Sequence, residues 1–335
     1  KKINLNVYNL KKTYPSYKNN FFIFIKNLIP FYFKAHLFLL REYLSSLRLK
    51  RFSNQKFYSN NSIFLISYFL HIDEEKYKKN EFFSHQWKMI PSLIKNMGYK
   101  INWIHHHVYE QKHLQYDNLF YFKNEKHFFL KGFFSFRIFC NSLFSFNYFY
   151  FKNLYSLNIR GDIILNKSLF EIHYLIENSW NSSFFGTHLM HNLVFIEIFK
   201  NLSNNFNLGK NAFYLQENQG WEKAFINSWR SVNKKKIIGV TPTIIKEWDL
   251  RYYENKSDLG KFSHCDKTLP DFTLVNGKHS YDQLSLNYFP KKRIVGVEAY
   301  RYLDSFIDRA KHKNRRKKKN IKKILILGEY DQKTT

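Results

Sequence analysis

The segment from residue 62 to residue 104 constrains the fold more than any other. Ile63-Phe64-Leu65-Ile66-Ser67-Tyr68-Phe69-Leu70 is a short, nearly unbroken apolar run, the pattern of a strand buried on both faces. A polar loop follows from Asp73 to Asn80. Phe83 to Met97 then carries Trp87, Ile90, Leu93, Ile94 and Met97 at helical spacing, with Gly98 as a C-terminal stop. Tyr99 to Ile104 reads as a second strand. Strand, glycine-ended helix and strand form a βαβ unit, which implies a parallel sheet.

The alternation resumes after a long interval. Strands are expected at Ala212 to Leu215, Lys236 to Val240, Asp271 to Val275 and Arg293 to Val297. Helices are expected over Gly220 to Trp229, Tyr281 to Leu286 and Ala299 to Ile307. Between the two blocks, residues 119–156 are rich in Phe and Tyr and read as an amphipathic helical pair covering the sheet, with contact to a membrane as a second option. Residues 167–202 read as helical, with a break near Asn181-Ser182-Ser183. The basic, aromatic stretch 1–60 precedes all of this. Within it, Phe21 to Leu40 is interrupted by Lys26, Pro30 and Lys34, so it is a poor spanning helix that either packs on the domain or lies in a membrane interface.

With 335 residues the chain has room for about two domains. Hydrophobic residues make up 44%, which excludes wholesale disorder. The two cysteines, Cys140 and Cys265, exclude a disulfide framework and a Cys-rich zinc module. A mean hydropathy of −0.49 argues against a polytopic membrane protein. Lys+Arg minus Asp+Glu is 54 − 26, a net charge of +28. That charge attracts polyanions and anionic membranes. It is discounted here because Lys, Asn, Ile, Phe and Tyr, all abundant, share A/T-rich codons.

Ligands of open parallel sheets bind at the carboxyl ends of strands, and four such ends carry unusual polar residues. Gln216-Glu217-Asn218-Gln219-Gly220-Trp221-Glu222 follows the first strand of the second block. Thr241-Pro242-Thr243 and then Glu247-Trp248-Asp249-Leu250-Arg251-Tyr252-Tyr253 follow the next. Asn276-Gly277 and Glu298-Ala299-Tyr300-Arg301-Tyr302 follow the last two. Taken singly, each residue also has a plain role as a helix cap or surface group; Glu222 and Glu298 sit where a carboxylate favours a helix N-terminus anyway. His105-His106-His107 with His113 is set aside as a metal site, because adjacent strand residues point to opposite faces. His188 and His191 share a helix face and read as packing residues. No Walker A or G-x-G-x-x-G string occurs.

The strings Tyr214-Leu215-Gln216-Glu217-Asn218-Gln219-Gly220-Trp221-Glu222-Lys223-Ala224 and Trp248-Asp249-Leu250-Arg251-Tyr252-Tyr253, with the 276–277 and 298–302 pairs in the same order, resemble bacterial surface-carbohydrate biosynthesis proteins of the capsule and lipopolysaccharide type. Lys323-Ile324-Leu325-Ile326-Leu327-Gly328-Glu329-Tyr330 is similar to the opening of that family's second domain. The resemblance spans roughly residues 62–107 and 212–335. Thr243 departs from it, standing near where a His is expected, which weakens a His-based mechanism.

The resemblance implies an α/β, Rossmann-like parallel-sheet domain of GT-B type: an acceptor-side domain at 61–310, a basic linker at 311–322, and only the first strand of a nucleotide-sugar domain at 323–335. On this expectation the chain is a fragment and is inactive by itself. The implied activity is sugar transfer from a nucleotide-sugar to a glycan or lipid-linked acceptor, with the nucleotide-sugar as substrate and no separate cofactor or metal. Glu217 or Asp249 is the candidate base. Asn218, Gln219, Trp248, Arg251, Asn276, Glu298, Arg301 and Gly328 are candidate substrate-binding residues, the arginines because guanidinium matches anionic groups bidentately. The expected location is cytoplasmic, peripheral on the inner face of the membrane, with an anionic membrane surface as a further partner. Nucleic acid is not expected as a partner. Two alternatives stay open: an RNA-binding, organellar ribosomal protein of an A/T-rich genome, which the charge and aromatics fit, and a non-catalytic scaffold of polysaccharide assembly.

Overall fold

The structure, a computed structural model, describes residues 21–108, 116–164, 170–206, 211–232, 235–247, 249–253 and 268–297. Its centre is a seven-stranded sheet in which every paired neighbour is parallel. The strands are β1 (Ser62–Tyr68), β2 (Lys100–His106), β3 (Glu125–Phe129), β4 (Ala212–Leu215), β5 (Ile237–Val240), β6 (Phe272–Asn276) and β7 (Ile294–Val297). Their order across the sheet is β3-β2-β1-β4-β5-β6-β7. The order reverses between β1 and β4, the doubly wound, Rossmann-like arrangement in which a crevice opens at the switch point.

The unbroken apolar run of β1 is explained by layers on both faces. Phe64 and Ile66 pack on one side with Phe206, Phe225 and Trp229, while Ile63 and Leu65 pack on the other with Phe69, Trp87 and Trp103. The first layer is formed by α1 (Phe21–Leu47), α5 (Phe136–Ile164), α6 (Phe170–Phe185), α7 (Thr187–Phe206) and α8 (Gly220–Val232). The second contains α2 (Lys50–Ser53), α3 (Glu74–Lys78) and α4 (Ile90–Asn96). A small satellite cluster of Val275, Leu284, Phe289 and Ile294 sits where α9 (Gly277–Leu286) covers β6 and β7.

Several expected elements differ in their limits. The helix expected from Phe83 begins only at Ile90, because Ser84 bridges back to Ile72 and Trp87 turns into the core. The loop expected at 73–80 contains α3, started by Asp73, whose carboxylate accepts the Lys76 N–H at 3.0 Å. Gly98 does end α4, at φ +81°. α1 continues through Pro30, which is exposed. Leu28, Ala35 and Leu39 on its other face are buried, and that packing outweighs the hydrogen bond that proline removes. The break expected near 181–183 falls at Gly186, packed against the Phe31 ring. The segment read as two amphipathic helices contains strand β3 and then the single long helix α5. The helix expected at 299–307, the linker and the strand expected at 324–327 lie outside the described residues.

Candidate functional site

The carboxyl ends of β1 and β4 face each other across the switch point. Tyr68 ends β1, and its hydroxyl donates to Gln219 Oε1 at 3.0 Å while accepting the Trp221 indole N–H at 3.1 Å. Burial pushes the Tyr68 phenol up to about 12, so it stays a neutral donor. His106, the last residue of β2, lies beside Trp221 with ring centroids 4.1 Å apart, and burial lowers its pKa to about 3, leaving a neutral imidazole.

The loop after β4 is shaped by its own side chains. Glu222, in the first turn of α8, reaches back so that Oε1 accepts the N–H of Glu217 at 2.9 Å and of Gln219 at 3.2 Å, and Oε2 that of Asn218 at 3.0 Å. The Gln219-x-x-Glu222 spacing is that of the back-reaching half of a capping box. Asn218 sits at φ +55°, a left-handed conformation that asparagine tolerates. Gln216, fully buried, donates through Nε2 to Asn218 Oδ1 at 2.9 Å and accepts the Thr273 hydroxyl of β6 at 2.9 Å. The Tyr252 hydroxyl donates to the Gln216 carbonyl at 2.7 Å, and Asn218 Nδ2 donates to the Arg251 carbonyl at 2.9 Å. The loops after β4 and β5 are thus stitched together.

Gln216 fits only because β5 carries Gly239 opposite it. A Cβ there would stand 2.1 Å from Gln216 Oε1. Gly239→Ala is therefore expected to expel the amide, break its bonds to Thr273 and Asn218, and cost about 2 kcal/mol. Urea unfolding of the variant checks this, and wild-type stability would contradict it.

Three charged side chains sit on this frame. Asp249 accepts two bonds from Arg251, Nε to Oδ1 and Nη2 to Oδ2, both 2.8 Å. Arg251 Nη1 also stands 3.8 Å from Glu217 Oε2, which accepts Gln219 Nε2 at 2.7 Å. The bidentate hydrogen bonds of Arg251 hold the Asp249 carboxyl below the usual carboxylate range, and the same contact raises the Arg251 pKa. Both carboxylate oxygens of Asp249 are taken by Arg251, and that geometry suits orienting the guanidinium. Glu217 is partly exposed, with Oε2 held by Gln219 and facing Arg251. Two carboxylates and one guanidinium leave the trio a formal charge of −1.

Of the residues selected from sequence, Glu217, Asn218, Gln219, Asp249 and Arg251 come together in one hydrogen-bonded group. Asn276 stands apart from it, at the start of α9, with Nδ2 donating to the Thr241 carbonyl at 3.3 Å and Oδ1 buried without a partner. Trp248, Glu298, Arg301 and Gly328 lie outside the described residues. Tyr68, Gln216, Tyr252 and Thr273 complete the frame and were not selected. The position of Tyr68 at the end of the first strand of a βαβ unit was the available signal for that residue. His105 and His106 do face opposite sides of the sheet, and among the described residues no group of three or more His, Cys, Asp or Glu is placed to hold a metal ion.

No protein-family model matches the chain, and searches of curated proteins and of solved structures gave no significant match.

Proposed function

We propose that this chain is the acceptor-side domain of a GT-B-type glycosyltransferase of surface-polysaccharide assembly, peripherally attached to a membrane. The observation that carries the reading is the Glu217–Arg251–Asp249 trio, fixed beside the switch point of a doubly wound parallel sheet. Sugar transfer needs a base to take the proton of an acceptor hydroxyl. Glu217 suits that task, with Arg251 and Gln219 fixing its orientation and Asp249 occupied by Arg251. A group of net charge −1, its guanidinium already paired, suits a neutral hydroxyl better than a phosphate. The nucleotide-sugar would therefore be gripped elsewhere, which is the division of labour between the two domains of such enzymes. The resemblance in residues 214–224 and 248–253 supports the same reading.

Saturation-transfer NMR with a panel of neutral and acidic oligosaccharides and nucleotide-sugars tests it. An oligosaccharide should bind, and Glu217→Gln should weaken it about tenfold or more, the loss of one charge-assisted hydrogen bond. Absence of sugar binding, together with RNA that copurifies and survives Glu217→Gln, would favour the RNA-binding alternative.

A further inference from the structure

The aromatic helices leave a surface that the core does not use. α1 buries Leu28, Ala35 and Leu39, yet its opposite side exposes Phe33 (61%), Leu37 (66%), Leu40 and Leu44, spaced four, three and four residues apart. That spacing is one continuous stripe on a helix. Beside it, α5 exposes Phe144 (73%), Tyr148 and Phe151 at the same kind of spacing. The two helices meet along a third line. The Tyr32 hydroxyl donates to Asn147 Oδ1 at 2.7 Å, the Tyr32 ring packs on Tyr150, and His36 packs on Phe146. At 100° per residue this seam lies to one side of each stripe, so the two stripes run side by side on the outer surface.

Charge identifies the occupant. Lys34, Arg41 and Arg48, seven residues apart, form an exposed row along the flank of the α1 stripe away from α5. The acidic residue of α1, Glu42, is turned inward to Lys131 at 2.8 Å. An apolar stripe edged by a row of long basic side chains is the pattern of a helix lying in a bilayer interface, rings and aliphatic groups below the headgroups and basic heads at the phosphates. Self-association would instead press two chains of net charge +28 together. No helix of the described residues is long and apolar enough to cross a membrane, which is consistent with contact along the surface.

We propose that the outer faces of α1 and α5 form a docking surface for an anionic lipid bilayer, with Phe33, Leu37, Leu44 and Phe144 inserted and Lys34, Arg41 and Arg48 on the lipid phosphates. This deepens the peripheral attachment proposed above and rests on that part of the reading, not on sugar transfer.

Vesicle co-sedimentation of the 335-residue chain tests it, with phosphatidylcholine alone and with phosphatidylcholine mixed with phosphatidylglycerol. The chain should pellet with the anionic vesicles, and added salt should release part of it. Lys34→Gln/Arg41→Gln should weaken anionic binding about fivefold per neutralised residue and narrow the preference over neutral vesicles by the same factor. Phe33→Ser/Leu37→Ser/Leu44→Ser should abolish pelleting, with an unchanged circular dichroism spectrum because all three side chains are exposed. Wild-type binding by the triple variant would overturn the proposal. So would a dimer that the triple variant dissolves in a chain that ignores vesicles, which would assign the face to a second copy. Glu217→Gln should leave vesicle binding unchanged. If vesicles bind and no sugar does, the docking surface stands and the transferase reading falls.

Discussion

Lys95→Met should destabilise the fold by about 3 kcal/mol at neutral pH, the cost of stranding a buried charge, and by much less in mild acid. Glu125 on β3 is 4% exposed. Lys95 Nζ lies 2.5 Å from its Oε1, the Trp103 indole N–H donates to Oε2 at 2.7 Å, and His127 Nε2 is 3.6 Å away. Burial opposes ionisation of Glu125, but His127 and Lys95 together hold its carboxyl below the ordinary range. His127 is itself fully buried, with its pKa lowered by that burial, so Lys95 is the cation of the group. A carboxyl with a lowered folded pKa adds stability above its unfolded pKa and loses it as pH falls through the folded value. Without Lys95 the downward pull on the carboxyl weakens and its folded pKa rises, so the stability it adds at neutral pH shrinks. The gap between wild type and variant must therefore widen from acid to neutral pH. Urea unfolding at two pH values measures it. A gap that does not change with pH would show that Lys95 contributes packing and not charge.

The same cluster explains which part of the fold escaped the sequence. β1, β4, β5, β6 and β7 were legible because each is a short run of mostly apolar residues, largely buried in the sheet except in β7, where only Ile294 is buried. β3 was not legible. Glu125, Lys126 and His127 fall in the Phe- and Tyr-rich stretch 119–156, whose composition reads as helical, and Asn124 before them takes φ +59°. What makes these residues a strand is a set of partners distant in sequence: Lys95 on α4, and on β2 Trp103 and His105, whose Nε2 lies 2.9 Å from His127 Nδ1. An edge strand fixed by buried polar contacts carries no apolar alternation to read. The candidate site divides in the same way. Glu217, Asn218, Gln219, Asp249 and Arg251 were legible as polar residues at strand ends. Thr273 was not, because its role depends on which strands become neighbours, and Tyr68 was marked only by its place at the end of the first strand of the βαβ unit. Gly239 looks like any strand glycine until Gln216 is seen to occupy the space of its missing side chain.

Glu222 is the point at which fold and site depend on a single carboxyl, and Glu222→Ala should cost about 3 kcal/mol, since a helix cap and three hydrogen bonds are lost together. The side chain is 1% exposed. Burial pushes its pKa up to about 8, against the backbone N–H groups of Glu217, Gln219 and Asn218, which favour the charged form. A carboxyl whose folded pKa is raised takes up a proton more readily in the folded protein than in the unfolded one. Its contribution to stability is full below the unfolded pKa and falls as pH rises from about 4.5 to about 8. Glu222→Gln, close in shape to the protonated acid, should remove that slope and cost only about 1 kcal/mol, since the Asn218 N–H then faces an amide NH2. Thermal melts of the three proteins across this pH range separate the effects. Equal slopes in wild type and Glu222→Gln, or a wild type that gains stability as pH rises, would show that the three N–H donors outweigh burial and keep the group ionised. In either case Glu222→Ala should release residues 217–219 from their turn. Sugar binding should then fall as far as it does in Glu217→Gln, although Glu222 itself is too buried to touch a ligand.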